Sequence, residues 1–267
     1  MRFGVMTLQA TPYAALAERW RRENVRTSTG TGSGDGARGR RRVAAVPSGR
    51  RQDLNWPNPM TERLVERTLR AFSDDLASSA AVPGGGSAAA YAGALGAGLA
   101  AMVGRIAERK DKGDATTALI AEADDLRTDF LRLVDDDSAA FARVSEAMKL
   151  PKATDEEKTA RKEQLQFALL AASRVPLEVA KTGRRLLDLC ERAVATAPSA
   201  TVSDIGVGAL MGEAALSGAA LNVMINLASM TDSAQVKALS EDLDRAVDGA
   251  EAQRKRITDF VESRIAR

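Results

Sequence analysis

Three stretches of this sequence carry residues able to bind or protonate a substrate. The first is Pro83-Gly84-Gly85-Gly86-Ser87, at the head of a long Ala/Gly-rich run. Glycines lack a Cβ and let a ligand approach the backbone. The unpaired N–H groups of a helix start favour an anion or a carbonyl oxygen. A tight interhelix turn with Ser87 as its cap explains the same residues, and a glycine run alone is a weak signal. The second stretch is Val134-Asp135-Asp136-Asp137-Ser138. Successive helical positions point in different directions, and Asp137 interrupts an apolar stripe of Leu133, Val134, Phe141 and Val144. A carboxylate there is partly desolvated, which raises its pKa toward that of a useful acid or base. Asp136 reads as a solvated acid. The third is a stripe of small residues with polar ends: Asp204, Gly208, Gly212, Ala215, Ala219, Asn222 and Asn226. Asn222 and Asn226 lie among Leu221, Val223, Met224, Ile225 and Leu227, so burial with hydrogen bonding between helices is the better reading on pattern alone. Asp204 and Asn222 are roughly 27 Å apart along one helix. Within one subunit they cannot touch the same ligand atom.

Composition narrows the chemistry. Histidine is absent from all 267 residues, which removes the commonest general base, the commonest metal ligand and every Ser-His or Cys-His pair. The single cysteine, Cys190, sits in Leu187-Asp188-Leu189-Cys190 and reads as a small core residue. One cysteine permits no intrachain disulfide, which fits a cytoplasmic setting. Proton transfer therefore falls to Asp, Glu, Lys, Arg, Tyr, Ser or Thr. Residues 1–59 hold 11 Arg and 4 acids, net +7, which leaves −5 of the overall +2 for the rest. A mildly acidic body argues against nucleic acid as a partner.

The elements that must hold these residues are helices. No segment alternates with the period of a strand, and aromatics are only 4%. The expected fold is all-α, a bundle of long antiparallel helices without a sheet. Thr61–Ala77 is predicted as one amphipathic helix, 87–109 as a second with Ser87 at its cap, and Thr116–Met148 as a third. Thr154-Asp155-Glu156-Glu157 reads as a capping box, opening a helix that Pro176 kinks or restarts. Thr201–Ser229, with Thr201 and Asp204 as a capping pair, and one last helix from about Asp232 to Arg264 complete the series. Val82–Gly104 has no charged residue, but its Ala/Gly composition predicts a central buried helix and no membrane span. Residues 1–59 differ in character. Met1–Asn24 resembles the opening strand and helix of luciferase-like flavin-dependent monooxygenases, and the Gly/Ser-rich, Arg-rich stretch after it predicts disorder. The expected division is a disordered or misassigned extension over 1–59 and a helical domain over 60–267, with Met60 as the expected true start and no targeting peptide.

Five collinear stretches resemble the formimidoyltetrahydrofolate cyclodeaminase and methenyltetrahydrofolate cyclohydrolase family. They are Ala81–Ala90 with Gly93–Ala97 and Ala101–Val103, then Val134–Phe141, Leu150–Lys152, Val202–Asp204, and Gly218–Val223 with Ile225–Leu227. The resemblance spans about 61–265. It implies an all-helical homodimer with folate bound near the subunit interface. The implied reaction converts 5-formimidoyltetrahydrofolate to 5,10-methenyltetrahydrofolate with release of ammonia. The alternatives are hydrolysis of methenyltetrahydrofolate to the 10-formyl compound, or a non-catalytic folate-binding dimer. By carry-over Asp137 is the general acid/base and Asp135 a second candidate. Lys152 contacts an anionic or carbonyl group, and Gly84, Gly85, Gly86 and Ser87 line the folate. Asp204 and Asn222, with Asn226 beside them, hydrogen-bond the pterin or order the site. The resemblance implies no metal and no tightly bound cofactor, with the tetrahydrofolate derivative as substrate. The loop Ala197–Thr201 lacks the asparagine common in the family.

Overall fold

The computed structural model describes residues 63–109 and 112–266. The readings of residues 1–59 and of Met60 as the start lie outside the described residues. Those described are helical, without a strand. In order they form α1 (Leu69–Leu76), α2 (Gly85–Glu108), α3 (Asp114–Lys149), α4 (Asp155–Thr196), α5 (Val202–Leu227), α6 (Ser233–Val247) and α7 (Ala250–Ile265), with 3-10 turns at Leu64–Glu66 and Ser199–Thr201.

Helices α2 to α5 make an up-down-up-down bundle. α2 packs on α3 and α5, α4 packs on α5 and α3, and α2 crosses the middle toward α4. Missing side chains set the spacing. A Cβ on Gly93 would overlap the ring of Phe130, which is fully buried on α3. A Cβ on Gly96 would stand 2.8 Å from the carbonyl oxygen of Gly208, and one on Gly183 3.0 Å from that of Gly212. The stripe Gly208, Gly212, Ala215 and Ala219 thus buries against α2 and α4 of its own chain. Cys190 packs in this seam with no exposure, its thiol pushed up to about 12 by burial. α6 and α7 lie outside, along α4 and α5.

Several boundaries depart from the sequence reading. The predicted helix over 61–77 is broken at Arg67 and Thr68. Thr68 Oγ1 accepts from Ala71 N at 3.1 Å and starts α1 anew, while Leu64 is pinned separately on α3. Gly84, and not Ser87, is the N-cap of α2, because the Ser87 hydroxyl is drawn across to α3. Thr201 makes no side-chain cap, since its hydroxyl turns back to Pro198 O at 3.3 Å. The single last helix is two, separated at Asp248 and Gly249, where Gly249 takes φ 68°, a left-handed conformation natural to glycine. The Thr154 capping box forms as expected, with Glu157 N donating to Thr154 Oγ1 and Thr154 N to Glu157 Oε2, both at 3.2 Å.

Pro176 neither ends nor restarts α4, which runs unbroken through it. Proline has no N–H, so the carbonyl of Ala172 one turn back loses its helical donor. Asn226 of α5 supplies the replacement: its Nδ2 donates to Ala172 O at 2.8 Å. Asn226→Ala should therefore cost about 1–3 kcal/mol, the penalty for an unsatisfied buried acceptor. In a Pro176→Ala background, where the backbone N–H returns, the loss should shrink. Urea denaturation of the four proteins checks this, and an equal loss in both backgrounds would contradict the pairing.

Candidate functional site

The start of α2, the middle of α3 and the distal part of α5 meet at one point. Ser87 and Ser138 are fully buried between α2 and α3. Ser87 Oγ lies 2.9 Å from Asp137 Oδ2, 3.0 Å from Val134 O and 3.1 Å from Ser138 Oγ. A hydroxyl has one proton to give, so Ser87 donates to the carboxylate or to the carbonyl and accepts from Ser138. The Ser87 backbone N–H also serves the Asp137 carboxylate. This is one of the N–H groups that a helix start leaves unpaired.

Gly86 permits that approach. A Cβ there would overlap the Asp137 carboxylate, standing 2.5 Å from Cγ and 2.7 Å from Oδ2. Asn222 closes the other side: its Nδ2 would be 3.5 Å from a Cβ on Gly85 and donates to Gly218 O, one turn back on α5, at 2.8 Å. At Gly84 a Cβ would meet nothing within 4 Å among the described residues. Asp137 is half-buried. Burial pushes its carboxyl above the usual carboxylate range, against the opposing pull of the Ser87 hydrogen bonds. The arrangement is a desolvated carboxyl held by a hydroxyl and a helix start, beside open space and an amide. It is built to hold and release a proton.

The other sequence candidates divide. Asp135 faces away from this cluster. Its Oδ1 accepts from Leu64 N at 2.8 Å and its Oδ2 from Arg63 Nε at 2.9 Å, so it fastens the segment before α1. Asp136 pairs with Arg132, and partial burial raises its carboxyl. Asn226 is spent on Ala172 O. Lys152 is exposed in the turn after α3, whose last residue, Lys149, is roughly 18 Å along the axis from Asp137. Asp204 stands in the first turn of α5, at the far end of that helix from Asn222. The single-residue reading missed Ser138. Its signal was present: Ser138 follows Asp137 and lies one turn beyond Val134, on the stripe that meets α2.

No group of three or more His, Cys, Asp or Glu able to hold a metal occurs among the described residues.

Residues 68–245 match the model of the formiminotransferase-cyclodeaminase family. The chain belongs to that family. It is 38% identical over 202 residues to a methenyltetrahydrofolate cyclohydrolase of Methylorubrum extorquens, covering 74% of this chain and 97% of that protein. It is 39% identical over 175 residues to the formimidoyltransferase-cyclodeaminase of Mus musculus, covering 64% of this chain and only 32% of that longer protein. In fold it is similar to the crystal structure of a formiminotetrahydrofolate cyclodeaminase from Thermotoga maritima, with a TM-score of 0.66 and 25% identity over 74% of this chain and 97% of the other. Family membership places this chain among one-carbon folate enzymes of the cyclodeaminase and cyclohydrolase kind.

Proposed function

We propose that this chain hydrolyses 5,10-methenyltetrahydrofolate to 10-formyltetrahydrofolate, with Asp137 moving the proton. The observation that carries the reading is the half-buried Asp137 carboxyl, fixed by Ser87 against the glycine start of α2. Water adds to the electrophilic methenyl carbon and gives one proton to Asp137. The tetrahedral carbon then releases N5, which takes that proton back, while the hydroxyl loses its own to solvent and becomes the formyl oxygen on N10. Ser87 orients the carboxyl through both steps. The near full-length match to a cyclohydrolase supports water as the co-reactant.

The fold likeness to a cyclodeaminase favours a second reading at the same carboxyl. There N10 of 5-formimidoyltetrahydrofolate adds to the formimidoyl carbon and gives up its proton. The departing nitrogen takes that proton and one more delivered by Asp137, and leaves as ammonia. Incubating the protein with each compound separately tests both. Loss of methenyl absorbance above the buffer rate supports hydrolysis. Gain of methenyl absorbance with ammonia from the formimidoyl compound supports the second reading. No change with either compound overturns both.

We also propose that the working unit is a homodimer built on the outer face of α5. Val207, Leu210, Leu221 and Ile225 share that face and are exposed, Ile225 by 68%, and Leu95 and Met102 extend it on the neighbouring α2. By length and composition both helices are apolar enough to cross a membrane, and the bundle buries the apolar stretch of α2 more fully than that of α5. An antiparallel pairing of α5 about a two-fold axis near Ala214 would cover this face. It would bring the partner subunit's Asp204 toward Asn222, giving that distant carboxylate a place at the folate. Lys152 would meet the anionic end of the substrate. Sedimentation at assay concentration should show a dimer, and a monomer that turns over at full rate would contradict it.

A further inference from the structure

We propose that Phe141 is the surface on which a planar ring of the substrate lies, an inference that rests on the folate reading above. Phe141 belongs by sequence pattern to the apolar stripe of α3, together with Phe130, Leu133 and Val134, and those three are buried. Phe141 is 46% exposed. The register between the helices explains the difference. Phe130 meets Gly93, Val134 meets Ser87, and Asp137 meets Gly86, so each step forward along α3 is a step back toward the start of α2. Phe141 is one helical turn past Asp137 on the same face, roughly 6 Å further along the axis. α2 begins at Gly85 and offers no turn to cover it.

An aromatic side chain left bare in this way stands at the mouth of the site. The Asp137 carboxyl, held by Ser87 at the start of α2, is one helical turn away on the same face. A planar ring stacked on Phe141 would exchange apolar surface with it and set its attached carbon toward Asp137. A merely structural aromatic on this stripe would be covered, as Phe130 is.

The test is calorimetric titration of the full chain with 5-formyltetrahydrofolate, a stable reduced folate, for the unaltered protein and for Phe141→Tyr, Phe141→Leu and Phe141→Ala. Tyr keeps the ring face and should bind as the parent does. Leu keeps apolar bulk without the face and should bind about tenfold more weakly, and Ala about tenfold to a hundredfold. Binding by Leu and Ala variants equal to the parent's overturns the assignment. So does an Ala variant that dissociates in sedimentation while the Leu variant binds normally, which would make the ring a subunit contact. If the unaltered chain binds no reduced folate, the folate reading itself falls and takes this inference with it.

Discussion

Asp137→Asn should lower turnover by about 10²–10⁴, the contribution expected of a positioned acid/base, and leave the fold intact. Asn preserves the shape of Asp137 and its capacity to accept from Ser87, but it cannot carry the proton. The effect on stability has a definite sign. Burial holds the Asp137 carboxyl above its unfolded pKa. The folded state therefore favours the protonated form, and the stability linked to it is complete below the unfolded pKa and lost as pH rises through the folded one. Asn does not titrate. The variant's melting temperature relative to the parent's should accordingly improve from acid toward neutral pH. Full turnover in the variant would remove Asp137 from the chemistry, and a relative melting temperature that worsens toward neutral pH would contradict the buried-carboxyl account.

Gly86→Ala should separate activity from stability. The new methyl would occupy the place of the Asp137 carboxylate, a side-chain end that can give up its Ser87 contact and rotate away without moving backbone. Alanine also favours helix over glycine by about 1 kcal/mol, offsetting the lost Ser87 contact. Melting temperature should therefore stay near the parent's. Turnover should fall by about 10²-fold, as expected when a catalytic group is displaced by an ångström or so. An active Gly86→Ala protein would mean that the carboxyl need not sit against the start of α2.

The limits of sequence reading follow from distance along the chain. Helices close to those expected over 87–109, 116–148 and 201–229, the Thr154 capping box and the burial of Cys190 rest on local sequence, and these are found in the fold. What failed depended on partners far away. Asp135 has the same composition around it as Asp137, yet Leu64 N, 71 residues earlier, claims it. Ser87 has the position of a cap but donates across to α3, so the cap passes to Gly84. For Asn226 the interhelical hydrogen bond is as the pattern suggested, but its partner, a carbonyl that Pro176 on another helix leaves without its helical donor, lies beyond local reading. The small stripe of α5 is legible as a close-packing surface. Which helix it would meet is decided by the bundle, and it meets α2 and α4 of the same chain.

The most direct test of the central claim is the pH dependence of methenyltetrahydrofolate hydrolysis above the uncatalysed rate, measured for the parent and for Asp137→Asn. With Asp137 taking a proton from the attacking water, the parent's turnover should fall as pH drops through the ionisation of that carboxyl. Burial at Asp137 places the fall above the usual carboxylate range, and the residual rate of the variant should lack it. A parent profile that is flat across that range, or the same fall retained in Asp137→Asn, would contradict the assignment of the proton to Asp137.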